Sequence, residues 1–66
     1  MNILKLKGKL VENQFSIATI SRLLEVDKST FYRKLKHPES ITIGEARIIR
    51  NALNLTEQEA HDIFFS

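Results

Sequence analysis

The densest chemistry in this sequence lies in Asp27-Lys28-Ser29-Thr30-Phe31-Tyr32-Arg33-Lys34-Leu35-Lys36. In a helix opening at Lys28, residues three and four apart are neighbours on one face. Phe31 and Leu35 then fall on one side, and Lys28, Ser29, Tyr32, Arg33 and Lys36 on the other. The first side is suited to burial. The second offers cations, a hydroxyl and an amphipathic ring, groups that contact phosphates and read base edges. The spacing predicts a helix over 28–36 that faces nucleic acid.

Such a helix needs a scaffold, and the flanking patterns supply four more short helices. Over 3–12, Ile3, Leu6 and Leu10 form one stripe, with Leu4 and Val11 at its edge. Gly8 interrupts this helix at a cost of about 1 kcal/mol relative to Ala. Lys7 falls inside the apolar arc, where it is expected to snorkel. Ser16 is placed to cap a second helix over 17–24 whose apolar face is Ile20, Leu23 and Leu24, with Phe15 as a staple before it. Glu25-Val26-Asp27 breaks the pattern for three residues, and Asp27 suits the N-cap of the helix at Lys28. Pro38 disfavours helix at His37 and ends that element. Two T-x-x-E capping boxes, Thr42/Glu45 and Thr56/Glu59, open a fourth helix through Ala46, Ile49 and Leu53 and a fifth through Ala60, Ile63 and Phe64. Phe31, Leu35, Ile20, Leu24, Val26, Ile49 and Leu53 are the expected core. No stretch alternates as a strand does.

The bulk properties narrow the function classes. A chain of 66 residues has room for one small core, which leaves little stability to support a buried catalytic site. With 42% hydrophobic and 27% charged residues it is too apolar for disorder. There is no cysteine, hence no disulfide framework or thiolate metal site. His37 and His61 have no metal-ligand spacing, and no nucleophile elbow or Gly-rich phosphate loop is present. Neither an enzyme nor a cofactor is expected. No apolar run is long enough for a membrane span and no signal-peptide core is seen, so a cytoplasmic protein is expected. The net charge of +2 is unevenly spread: eight Lys/Arg against three Asp/Glu up to Pro38, then two against five from Glu39 onward. A basic half carrying the 28–36 helix points to a polyanionic partner.

Residues 17–36 resemble the helix-turn-helix of the Cro-type repressor family, the XRE-like regulators. The small residue Ser21, the aliphatic residues Ile20, Leu24 and Val26, and the apolar Phe31 stand where that motif places such residues. The phrase Val26-Asp27-Lys28-Ser29-Thr30-Phe31 is similar to the opening of many recognition helices in the family, and the two T-x-x-E helices resemble its fourth and fifth. Three positions depart from it. Glu25 stands where the turn often has glycine, Ile17 where a phosphate-binding Gln is common, and Lys34 where an apolar residue is usual.

The resemblance implies an all-α fold, a compact five-helix, lambda-repressor-like DNA-binding domain spanning 1–66. It also implies a sequence-specific transcriptional regulator, a Cro-like phage or prophage repressor. Base contacts fall to Lys28, Ser29, Tyr32 and Arg33, and phosphate contacts to Thr19, Thr30 and Lys36. The expected partner is operator DNA, read in the major groove by a homodimer. Only one of Phe64 and Phe65 can easily face the core, because adjacent helical residues point about 100° apart. The other is free for a dimer or partner contact. The alternative is a small modulator that binds a phage repressor protein, which the modest charge, Ile17 and the acidic C-terminal half would suit.

Overall fold

The computed structural model describes residues 1–65, and every element in it is helical. The order is α1 (Ile3–Glu12), α2 (Ile17–Leu23), α3 (Lys28–Lys36), a short 3-10 turn (Pro38–Ser40), α4 (Ile43–Ala52) and α5 (Glu57–Phe64). The chain is all-α, as its periodicity predicts, and there is no strand among the described residues. No helix among them is long and apolar enough to cross a membrane.

The helix starts follow local chemistry. Asn2, Ser16, Thr42 and Thr56 each accept a backbone N–H from three residues on. At Thr42 and Thr56 the matching Glu45 and Glu59 return a bond to the cap N–H, completing both boxes. Asp27 occupies the cap position of α3 in an extended conformation, but its carboxylate makes no cap hydrogen bond.

Three of the helix ends share one solution. Gln14, Glu25 and Asn54 adopt left-handed backbone, with φ of 60°, 58° and 52°. After each, the next N–H reaches back to a carbonyl five residues earlier: Phe15 to Leu10, Val26 to Ser21 and Leu55 to Arg50. This is the Schellman ending, with an apolar residue just past the left-handed one. Phe15, Val26 and Leu55 are thereby turned onto the core. The turn between α2 and α3 is thus made without glycine, and Glu25 bears a left-handed penalty of roughly 1 kcal/mol. The two glycines are elsewhere, in α1 and α4, with no positive φ.

The core comprises Leu6, Leu10, Ile20, Leu24, Phe31, Leu35, Ile49, Leu53, Leu55 and Ile63. Phe31 is only 1% exposed. Truncating such a residue to Ala costs about 3–5 kcal/mol, comparable to the whole stability of so small a fold. Two expectations are corrected. Leu23 is 47% exposed, because α2 has just two turns and turns Ile20, Ser21 and Leu24 inward. Val26 is half-buried at the edge of the core rather than inside it. Buried Ser21 satisfies its hydroxyl on the Ile17 carbonyl at 2.7 Å, so a small polar residue fits where α2 lies close to its neighbours.

α1 and α5 lie antiparallel and are clamped by charge. The Asn2 N–H donates to the Ile63 carbonyl, Lys5 pairs with Asp62 at 3.0 Å, and Lys9 pairs with Glu59. Lys9 holds Glu59 down to about 2, helped by the Thr56 N–H. Lys5 and then Gln58 lower Asp62 below its usual value.

Candidate nucleic-acid interface

α3 is a nine-residue helix with two unlike faces. Phe31 and Leu35 are buried, whereas Lys28, Ser29, Tyr32, Arg33 and Lys36 are all exposed. At 100° per residue these five span an arc of roughly 140°. The segregation read from the sequence is therefore present in the fold.

Three attachments hold α3 in place. Phe31 and Leu35 insert into the core. The Schellman turn at Glu25 fixes the angle at which α3 leaves α2. The third attachment runs through Lys34, which stands where the motif usually has an apolar residue. Its ammonium pairs with Glu45 at 3.2 Å and donates to the Ser40 carbonyl at 3.1 Å, with both side chains largely covered. Glu45 in turn accepts the Thr42 N–H at 2.9 Å. That bond first, and Lys34 after it, lower the Glu45 carboxyl below its usual range. Lys34 thus buries its stem as an apolar residue would, and its charge bolts α3 to the start of α4.

The outward cations are treated differently. Lys28, Arg33 and Lys36 form no ion pair among the described residues. The only side-chain bond in this set is a long one, Arg33 Nη2 to Thr30 Oγ1 at 3.4 Å. α3 contains no acidic residue. The face is a set of cationic donors with no carboxylate of its own, and Tyr32, 52% exposed, places its ring among them.

The other expected contacts divide. Thr30 is half-buried at the flank of the arc and accepts from Arg33. Thr19 is half-buried too, and its hydroxyl shares a 2.9 Å hydrogen bond with Ser16 Oγ at the cap of α2. Both threonines are engaged locally and offer less outward than the α3 arc does. Phe64 packs on the core while Phe65 is 78% exposed, with its ring 5.6 Å from that of His61.

Lys7 was missed as a candidate. It lies exposed and lines a cleft with the apolar residues Leu10, Val11, Phe15 and Ile17 and with Ser16 and Tyr32. Lys5 and Lys9 on the same helix are paired with α5, whereas Lys7 has no ion pair among the described residues. Its exposure extends the cationic surface from α3 across to α1. Helical periodicity alone points the other way, since Lys7 lies only about 40° from Ile3; the exposure of Leu4 and Val11, 82% and 77%, shows that this side of α1 lies outside the core.

Neither protein-family models, nor curated proteins, nor solved structures give a match to this chain.

Proposed function

We propose that this chain is a small sequence-specific DNA-binding regulator, a helix-turn-helix domain that inserts α3 into the major groove. The observation that carries the reading is the exposed α3 arc. Among the described residues Lys28, Arg33 and Lys36 have no ion-pair partner there, while Phe31, Leu35 and the Lys34–Glu45 pair fix the opposite side. A rigid helix with unpaired donors on one face suits bidentate and phosphate contacts. In this reading Lys28, Ser29, Tyr32 and Arg33 meet base edges. Lys36 meets phosphate, as do Thr19 and Thr30 with what hydrogen-bonding capacity they retain, and Lys7 adds a phosphate contact from α1. The resemblance to Cro-type repressors adds an operator bound by a homodimer, with half-sites about 34 Å apart.

The experiment is a titration of the protein against the intergenic DNA upstream of its own gene, at low and moderate salt, beside a scrambled duplex. Selective binding is expected, with log K falling against log salt by about 0.9 for each phosphate neutralised. No selective binding at low salt overturns the reading. The alternative, a modulator that binds a repressor protein, draws support from the apolar residues left exposed at α4 and α5, chiefly Ile43 and Phe65. It predicts no selective DNA binding by the protein alone.

A further inference from the structure

A groove runs between α4 and α5, and no residue of α3 lines it. Ala46, Ala60 and Phe64 line it together with Ile43 and Phe65. Ile43 and Phe65 are 82% and 78% exposed, and large apolar side chains gathered on a surface in this way mark a contact site. The α4 wall is a single row. Ile43, Arg47 and Arg50 are four and then three residues apart, so they share one side of the helix over about 10 Å of its length.

Charge separates this groove from the rest of the fold. The acids of α4 and α5 are mostly turned elsewhere: Glu45 pairs with Lys34, and Glu59 and Asp62 pair with Lys9 and Lys5 of α1. Arg47 and Arg50 are exposed and make no ion pair or side-chain hydrogen bond among the described residues. Glu57 lines only the far stretch, with Arg50 and His61, and it forms no ion pair there. The groove therefore sets two guanidinium groups beside an apolar surface, with one carboxylate between them.

We propose that this groove receives an acidic amphipathic helix of a partner protein. Such a helix presents its anchors at a spacing of three, four and seven residues, the spacing of the α4 row itself. Laid along α4, it places a large apolar side chain between Ile43 and Phe65. Carboxylates one and two turns further on then meet Arg47 and Arg50, whose planar forks hold a carboxylate by two hydrogen bonds. A second copy of this chain is a poorer occupant. A two-fold contact here brings two arginines from each copy together with only one Glu57 from each, an excess of like charge. Nucleic acid would satisfy the arginines but leave Ile43 and Phe65 without apolar cover.

The test is fluorescence anisotropy, with the full chain titrated into a labelled synthetic helical peptide at low salt and without DNA. The peptide carries a row of leucines and glutamates one and two turns along from it. Binding with a Kd of about 10–100 μM is expected. Versions with lysine for glutamate, or serine for leucine, should bind at least about tenfold more weakly. Arg47→Glu, Arg50→Glu and Phe65→Ala should each cost about tenfold, and the double arginine reversal should come to prefer the lysine peptide. These residues are exposed, so the variants should keep the circular dichroism of the parent. Lys28→Ala and Lys36→Ala should leave peptide binding unchanged.

No binding up to about 1 mM overturns the proposal, as does equal affinity for the lysine peptide. So does binding that is lost on the α3 variants and kept on the arginine variants. A single-stranded oligonucleotide that binds more tightly than the peptide through Arg47 and Arg50 would make the groove a nucleic-acid surface instead. Dimers in sedimentation equilibrium that Phe65→Ala abolishes would make a second copy the occupant. The proposal does not rest on the reading of α3, and the readout involves no DNA, so either can fail alone.

Discussion

α1 and α3 both carry several cations, and the fold uses them in opposite ways. On α1, Lys5 and Lys9 are matched by Asp62 and Glu59 of α5, so their charge is consumed in holding two helices side by side. On α3, Lys34 alone is consumed in this way, by Glu45. Among the described residues Lys28, Arg33 and Lys36 are left unmatched on an exposed arc. The cations therefore cannot be judged from composition. A lysine opposite an acid is part of the scaffold, and one facing solvent on a rigid helix is available to a partner. The net charge of +2 understates the second group because the first cancels against the acidic half.

The largest expected effect breaks the comparison from the α3 side. Replacing Lys28, Arg33 and Lys36 together with Ala should weaken operator binding by at least about 100-fold, since each such contact is worth roughly 1–3 kcal/mol. The melting temperature should stay close to that of the parent. If the triple variant binds as before, the arc is not the DNA surface. Arg33→Ala alone should lose about tenfold on the matched site and less on a scrambled one, and equal loss on both would make it a phosphate contact.

Lys34 separates scaffold from surface within one helix. Glu45→Gln or Lys34→Ala should destabilise the fold by about 1 kcal/mol, because a largely covered ion pair and a capping box share Glu45. Chemical denaturation measures this, and the double variant should cost less than the sum of the singles. A weaker effect is expected from acid. Lys9 and the Thr56 N–H hold Glu59 at about 2 against a usual 4.5, and Glu45 and Asp62 are lowered in the same direction. A depressed carboxylate stabilises the fold above its unfolded value. That contribution is lost as pH falls from about 4.5 toward 2. Melting temperatures recorded across this range should drop, and Glu59→Gln should flatten the slope. The smallest effect sharpens the comparison on α1 itself. Lys7→Ala should weaken DNA binding a few-fold at low salt with no change in stability, whereas Lys9→Ala should lower the melting temperature and leave binding unchanged.

Much of the fold was legible because it is written in local chemistry. The bounds of α1, α3 and both capping-box helices follow from apolar spacing, Pro38 and the T-x-x-E pairs, all of which act within a few residues. The two faces of α3 follow from its period for the same reason. Leu23 was misassigned because a two-turn helix gives periodicity too few residues to decide between adjacent positions. Leu55 is absent from the expected core because its burial depends on the left-handed turn at Asn54, which brings it back over the core.

What the sequence determined by itself was therefore the all-α class, the starts and stops of its helices and the outward set on α3. Each depends on interactions within a turn or two of helix. Tertiary structure decided which charges cancel. That Lys5 and Lys9 meet α5, that Lys34 meets Glu45 and that Lys7 meets no acid among the described residues depends on residues up to 57 positions apart. Ion pairing requires two side chains within about 4 Å, and only the packed core sets that distance across the chain. The gathering of Ile43 and Phe65 at one groove has the same origin.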